Sequence, residues 1–516
     1  MFKSRHAGVI VGGAAMLIVS ACADLDVTNP NAPDIDRALA SPQDVQNLAV
    51  STMNSWYLLA TDIYPWTMLT VTADVGTANF GNFGMRFNNL EPRANYDNNS
   101  AGGDRDATQE PWDNGYSTLG AANDMLRATD GGVVLNGGAA ATAKYRALAQ
   151  FTQAATLSHL GMLFDQAFVV DEKTSPDETP TLKPYKEVLA AAMTKWDATI
   201  AALQGKSETY EATTLPLTAG ALNSDILRRM ANTMAARTLA LGARNATENT
   251  ATDWAKVKAY AEKGISSGTP IDISVVGDDC NNWCSLYLFY ADEPTWIRVD
   301  QRVINIMNPT YPAKFNGTIV PAGTAPDDRY LKDFQFHNAV IGDPARGIFM
   351  QSPWSHQRYR YHARTSATSG EGPAPYLLAA ENDLLLAEAL VRTNTNLAQA
   401  ATLINKTRVT RGKLAPADAS EGAATLLDYI FYERIIELYG TSANEFFDVR
   451  RFEKGQPGMF RHIPIPAREL ETLALKIYTF GGVGKPVMSI MTGDGSLVGL
   501  HFAKTRVSGM NALPEQ

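Results

Sequence analysis

The chain has 516 residues, of which 45% are hydrophobic, and its formal net charge is −9 at pH 7. That share of hydrophobic residues allows a large core and excludes wholesale disorder. The acidic balance argues against a nucleic-acid-binding protein, which presents a basic face, and against attachment to anionic lipid by charge alone. Charged residues make up only 19% of the chain, which favours a surface of uncharged polar groups and neutral ligands.

The N-terminus has the pattern of an export signal. Basic residues precede an apolar run over residues 7–21, and this run is shorter than the about 20 residues that span a bilayer. Residues 19–22, Val-Ser-Ala-Cys, resemble a bacterial lipobox, in which the cysteine is acylated and becomes the mature N-terminus. We therefore predict a lipoprotein signal peptide over residues 1–21, lipidation of Cys22 and a tethered domain over residues 22–516. The alternative is an ordinary signal peptide followed by an incidental cysteine.

Hydrophobic residues recur at helical spacing through most of the chain, and residues that favour helix N-termini precede several of these runs. The predicted helices cover about 41–60, a run through Trp112 and Ala122, about 140–166, and runs that start near Pro184, Ser224 and Thr252, and then about 376–393, 396–411 and 423–439. Pairs of helices at this period are typical of tetratricopeptide-like stacking. We predict a mostly α fold, a tetratricopeptide-like helix-pair solenoid with its helical scaffold at 41–267 and 376–470. A generic helical bundle is the alternative.

Two regions lack sustained helical periodicity and are rich in aromatic residues, Asn, Gly and Pro. They cover residues 61–106 and 268–370. Because long loops inside a globular chain are usually functional, we predict that these two regions form the ligand face. Cys280 and Cys284 lie in the second region, and outside the cytoplasm such a close pair is expected to form a disulfide. A metal site would need more ligands than these two thiols.

The C-terminal third carries motifs in a characteristic order. They are the leucine-rich segment 382–389 that ends in Ala-Glu-Ala, then Ile404-Asn405 with Arg408 and Arg411, then Glu433-Arg434, Asp448-Val449-Arg450-Arg451, Pro464-Ile465-Pro466 and Glu469. Together with the lipobox, this order resembles the SusD/RagB family of surface nutrient-binding lipoproteins. Residues 471–516 continue past the usual family end and are predicted to be an extra tail with a hairpin turn at 492–495. By helical spacing, Glu433 and Glu437 are predicted to pair with Arg450 or Arg451.

The resemblance implies a binding protein and no reaction. Such a protein is anchored in the outer membrane by its lipid alone and faces the cell exterior. It covers a SusC-like TonB-dependent transporter and hands over an oligosaccharide, with no catalytic residue, cofactor or nucleic acid involved. Three alternatives stay open: capture of a peptide, an α-helical glycoside hydrolase with two carboxylates facing one cleft, and a surface scaffold with no small ligand.

The resemblance also implies ligand binding by loop aromatics and amides. A flat ring receives the apolar face of a sugar, and amides satisfy the hydroxyl groups. The predicted ligand-binding residues are Trp66, Phe80, Phe83, Asn98, Asn99, Trp283, Tyr287, Trp296, Trp354 and Tyr359. The alternative for each aromatic is burial under the helices. A calcium ion, which prefers oxygen ligands, is a further hypothesis for the group Asp97, Asn98, Asn99, Asp104 and Asp106, although their spacing matches no known loop.

Overall fold

The computed structural model describes residues 35–175, 178–341, 347–363, 370–441 and 444–483. The signal peptide, Cys22 and the hairpin turn predicted at 492–495 lie outside these ranges. Among the described residues, the structure contains no helix whose length and apolar character would let it cross a bilayer.

Helices form most of the regular structure, so the prediction of a mostly α fold is confirmed. They are α1 (Ile35–Ala40), α2 (Pro42–Thr61), α3 (Trp66–Thr72), α4 (Met85–Asn88), α5 (Asp106–Asp130), α6 (Gly138–Leu163), α7 (Tyr185–Ala202), α8 (Ser224–Leu241), α9 (Ala246–Ala251), α10 (Trp254–Ala261), α11 (Leu286–Ala291), α12 (Gln301–Met307), α13 (Arg329–Lys332), α14 (Ala379–Arg392), α15 (Leu397–Arg408), α16 (Gly422–Glu437), α17 (Asn444–Arg451) and α18 (Ala467–Thr472).

The long helices pack on one another in chain order, as a helix-pair solenoid requires. Helix α2 packs on α5 and α6, and the series continues from α6 through α7, α8 and α10 to α14, which packs on α15 and α16. Trp196 shows how the layers are joined. Its indole N–H is fully buried and lies 2.9 Å from the hydroxyl of Ser158 on α6 and 3.2 Å from that of Thr238 on α8.

The loop-rich regions contain more regular structure than the sequence predicts. Helices α3 and α4 lie in residues 61–106, and α11, α12 and α13 lie in residues 268–370. All seven residues of α3 are buried. A helix without a polar face shows no amphipathic periodicity, so the pattern on which the other predictions rest is missing there.

Short antiparallel strand pairs join segments that are far apart in sequence. They are β1 (Gly76–Thr77) with β5 (Arg298–Val299), β2 (Gln166–Phe168) with β3 (Leu182–Pro184), β4 (Ile273–Gly277) with β8 (Gly372–Leu377), and β6 (Phe334–Phe336) with β7 (Trp354–His356). Because β8 occupies residues 372–377, the helix predicted from about 376 begins at Ala379 instead. The β1–β5 pair connects the two loop-rich regions.

A buried ion-pair network joins α14, α16 and α17. The guanidinium of Arg451 binds the carboxylate of Glu388 through two hydrogen bonds of 2.7 Å and that of Asp448 at 2.8 Å. Arg434 binds the same Asp448 carboxylate at 2.8 Å. All four side chains are fully buried. Three of the C-terminal motifs, Ala-Glu-Ala, Glu-Arg and Asp-Val-Arg-Arg, therefore meet in one charge network inside the protein.

The predicted partners of Glu433 and Glu437 are wrong. Both carboxylates bind the buried Arg329, at 2.7 Å and 3.1 Å, rather than Arg450 or Arg451. Arg329 lies on α13 in the second loop-rich region, so helical spacing within the C-terminal third could not reveal it. Arg450 instead donates to main-chain carbonyls at the C-terminal ends of α6 and α8.

We expect Arg451→Leu to destabilise the protein strongly. The substitution removes the guanidinium that now binds the buried carboxylates of Glu388 and Asp448. Breaking a buried ion pair in this way costs about 3–5 kcal/mol. The control is Arg461→Leu, because its ion pair with Glu453 is partly exposed and such pairs contribute about 1 kcal/mol or less. Urea unfolding of both variants measures the difference, and equal losses would contradict the assigned role of Arg451.

Candidate functional site

Five aromatic side chains from the two loop-rich regions form one cluster, which we call the aromatic platform: Tyr64, Phe80, Phe83, Tyr290 and Trp296. The ring of Phe80 stacks on Trp296 with centroids 4.4 Å apart and an interplanar angle of 28°, and Phe83 lies nearly parallel to the same indole at 5.3 Å. Tyr290 meets Trp296 edge-on at 4.6 Å, and Tyr64 meets Phe83 edge-on at 5.6 Å. Phe80 is 46% exposed and the other four are half-buried, so the cluster faces solvent.

The backbone beneath the platform holds its two halves together. Gly76 pairs with Val299 in the β1–β5 ribbon, directly before the chain reaches Phe80. A Cβ on Gly76 would lie 2.9 Å from side-chain carbons of Ile297 and Thr70, so only glycine allows this close approach. The amide of Phe80 also donates to the carbonyl of Trp296 at 3.2 Å. The platform is therefore fixed by main-chain contacts as well as by ring packing.

Phe83 adopts a backbone conformation that is rare for an aromatic residue. Its φ is +58°, in the left-handed region that favours glycine. Its ring is in contact with Tyr64, Tyr290 and Trp296 at once. Such local backbone strain is characteristic of sites where a side chain must be held in one orientation.

Three of the ten predicted ligand-binding residues come together in the platform, namely Phe80, Phe83 and Trp296. Sequence reasoning did not select Tyr64 and Tyr290, although both lie in the two predicted loop regions. Nothing in the sequence distinguishes them from neighbouring tyrosines that are buried.

The other predicted aromatics lie in the core. Trp66, Trp283, Tyr287, Trp354 and Tyr359 are all buried. Tyr287, for example, forms a buried hydrogen bond of 2.9 Å with the hydroxyl of Thr70. These five side chains are outside the platform, and their positions agree with the alternative of burial under the helices.

The two predicted asparagines differ in environment. The side-chain amide of Asn98 donates to the carbonyls of Ile465 and Tyr478 at 2.9 Å and 3.0 Å, and its oxygen accepts from the amide of Ala467 at 3.1 Å. Asn98 thus ties the first loop region to the Pro-Ile-Pro segment. Asn99 is exposed, and its side chain accepts a local hydrogen bond from the amide of Ala101.

The structure pairs Cys280 and Cys284 as a disulfide. The adjacent Trp283 is buried and packs against Tyr57 of α2 with ring centroids 5.6 Å apart. The carboxylate of Asp278 accepts from the amide of Trp283 at 2.8 Å. This loop is therefore attached to the helical scaffold.

One border of the platform is acidic. The pKa of Tyr64 is raised above its ordinary value, mainly by burial and next by the negative charge of Glu110. The pKa of Asp104 is raised by burial and by the neighbouring Asp97, and that of Glu110 by burial and then by Asp62. Within the described ranges, no three His, Cys, Asp or Glu side chains are grouped to hold a metal ion, so the calcium hypothesis gains no support from the geometry.

Comparison with known proteins finds a family similarity in the C-terminal part of the chain. Residues 330–480 match the family model described as the SusD family. This C-terminal part of the chain is therefore similar to the SusD family. The resemblance predicted from the lipobox and the C-terminal motifs is thereby confirmed. No match is found among the curated proteins.

Solved structures share the fold of this chain at low sequence identity. A SusD-like protein from Bacteroides fragilis is 13% identical, with a TM-score of 0.60 and coverage of 86% of this chain and 97% of its own. A SusD homolog from Bacteroides thetaiotaomicron is 13% identical, with a TM-score of 0.60 and coverage of 87% and 98%. A SusD-like carbohydrate-binding protein from Bacteroides vulgatus is 14% identical, with a TM-score of 0.56 and coverage of 80% and 83%. These likenesses support the tetratricopeptide-like architecture.

Substitution of Asn98 and of Asn99 should affect stability differently. Asn98→Ala removes three buried hydrogen bonds, each worth about 1 kcal/mol net, so we expect a loss of about 2–3 kcal/mol. Asn99→Ala is the matched control, and surface changes of this kind stay within about 0.5 kcal/mol. Thermal and urea unfolding measure both. If the two variants were equally stable, the structural role of Asn98 would be refuted.

Proposed function

We propose that this SusD-like protein captures an oligosaccharide at the cell surface and delivers it to a partner TonB-dependent outer-membrane transporter. The aromatic platform is the observation that carries the proposal. The apolar C–H face of a sugar ring packs on an aromatic ring, and Phe80 offers nearly half of its surface to solvent. The match to the SusD family model and the likeness in fold to a SusD-like carbohydrate-binding protein from Bacteroides vulgatus support the same ligand class.

The surroundings of the platform suit neutral, hydroxyl-rich ligands. Asn82 and Arg86 are exposed beside Phe83 in the chain, and Thr295 is exposed beside Trp296. Their amide, guanidinium and hydroxyl groups can bond sugar hydroxyls while the rings contact the apolar face. A few such contacts give millimolar to micromolar affinity, about −4 to −8 kcal/mol, which is enough when a transporter removes the bound ligand.

Removing rings from the platform should weaken glycan binding. We expect Phe80→Ala and Trp296→Ala each to raise the Kd at least about tenfold, which corresponds to about 1.4 kcal/mol. Phe87→Ala is the matched control, because Phe87 is an equally exposed phenylalanine (50%) outside the platform. Titration calorimetry with a glycan panel measures the three affinities. A Kd that rises as much for Phe87→Ala would contradict glycan binding by the platform.

The same titration decides between the ligand classes. If a peptide bound and no glycan did, the ligand class would be peptides rather than oligosaccharides. Release of reducing sugar by the purified protein would show a hydrolase. Failure of both panels would favour a scaffold without a small ligand.

We further propose that Cys22 carries the lipid that holds the protein at the outer membrane. Cys22→Ala should move the protein from the membrane fraction to the soluble fraction, because the acyl chains supply the attachment. Cys284→Ala leaves Cys22 in place and is the control that should stay in the membrane fraction. Membrane retention of the Cys22 variant would contradict lipid anchoring.

Delivery is tested separately in cells. Deleting a transporter gene adjacent to the gene of this protein should abolish ligand uptake and leave surface binding unchanged. Unchanged uptake would contradict delivery to that transporter.

A further inference from the structure

A small interior cavity lies where α2, α3, α6, α8 and α17 meet. Its volume is about 20 Å³. Its wall includes Trp66 from α3, His159 from α6, Arg237 from α8 and Asn444 from α17. These side chains are all buried, so the cavity is enclosed by the core and is separate from the aromatic platform.

Three residues of this wall each carry a buried polar atom without a hydrogen-bond partner among the described residues: the indole Nε1 of Trp66, the ring Nε2 of His159 and the side-chain Nδ2 of Asn444. The three residues are 4%, 6% and 2% exposed, so bulk solvent does not reach them. An unsatisfied buried donor or acceptor is costly, and native proteins rarely leave several on one wall.

The three atoms present two donors and a neutral ring nitrogen, to which we assign the acceptor role. The indole N–H of Trp66 and the amide N–H of Asn444 donate. Burial lowers the pKa of His159 to about 3, so its imidazole is neutral near pH 7. With the ring proton on Nδ1, the Nε2 of His159 accepts a hydrogen bond.

We infer that this cavity binds one buried water molecule, held by Trp66 Nε1, Asn444 Nδ2 and His159 Nε2. Water has the complementary set of groups, since it accepts two hydrogen bonds and donates one to the imidazole. The cavity volume fits a single water, which needs about 10–15 Å³ and typically makes about three hydrogen bonds.

The charges on the wall favour water over an anion. Arg237 is the charged group of the wall, and its guanidinium is already paired with the buried carboxylate of Glu381 at 2.5 Å. The lone pair of His159 Nε2 would repel a chloride ion. The water therefore completes a neutral set of partners and links three segments of the chain that are distant in sequence.

A high-resolution crystal structure of the lipid-free mature chain, grown in bromide, tests the site directly. We expect one solvent peak within hydrogen-bond distance of all three atoms and no anomalous signal at that peak. A dry cavity, or an anomalous peak that marks a bromide ion, would overturn the inference.

A variant pair tests the assigned partners in solution. Trp66→Phe removes one donor and should lower the number of long-lived waters, counted by magnetic relaxation dispersion, by one. Trp254→Phe is the matched control, because the indole N–H of Trp254 already donates to the carbonyl of Asn249 at 2.7 Å and Trp254 does not line the cavity. If Trp66→Phe keeps the wild-type count, or if Trp254→Phe lowers it equally, the assignment fails. Should Trp66→Phe not fold, the crystal structure of the wild-type chain alone decides.

Discussion

The arrangement of the helices depends on guanidinium groups that are buried without access to water. A buried charge is stable only when it is paired and its hydrogen-bonding groups are satisfied. Arg451 meets this requirement by holding Glu388 on α14 and Asp448 within α17 at fixed distances. Arg450 meets it in part: its two terminal nitrogens donate to carbonyls at the C-terminal ends of α6 and α8, where the helix dipole favours a positive charge, while its Nε lacks a partner among the described residues. One short helix thereby sets the relative positions of several others.

The ligand face depends on this scaffold in turn. Helix α17 packs on α3 through Phe447 and Trp66, whose rings are 6.2 Å apart. Helix α3 is preceded by Tyr64, which belongs to the platform. From the other side, Arg329 connects the second loop-rich region to α16 through Glu433. Both halves of the platform are thus attached to the region that carries the family motifs.

The sequence predicts long helices such as α2, α5 and α7 well because each has a polar face and an apolar face. The start of α2 also agrees with the sequence, because the side chain of Ser41 accepts a hydrogen bond from the amide of Asp44. Helix α3 was not predicted because it is buried on every side. The partner of Glu433 was not predicted because Arg329 lies about a hundred residues away, and helical spacing carries information only about near neighbours. The division of the chain into scaffold, ligand region and tail stays a prediction.

The amino-acid composition predicted the regions that form the candidate site, but only some of the predicted residues lie in it. Aromatic residues in long loops indicated the right regions, but Phe80 and Trp354 look alike in sequence while one is exposed and the other is in the core. Their environments are set by different long-range contacts: the amide of Phe80 bonds the carbonyl of Trp296 next to the β1–β5 pair, whereas Trp354 pairs with Phe336 in the β6–β7 pair. No local pattern reports such contacts.

The openness of the platform has a consequence for the shape of its cargo. Phe80 presents its ring outward instead of lining a closed pocket. Under the proposed function, a polymer can lie across such a surface and extend beyond it in both directions. The protein would then recognise an internal stretch of its cargo, and the length of that cargo would be limited by the next step of import rather than by capture.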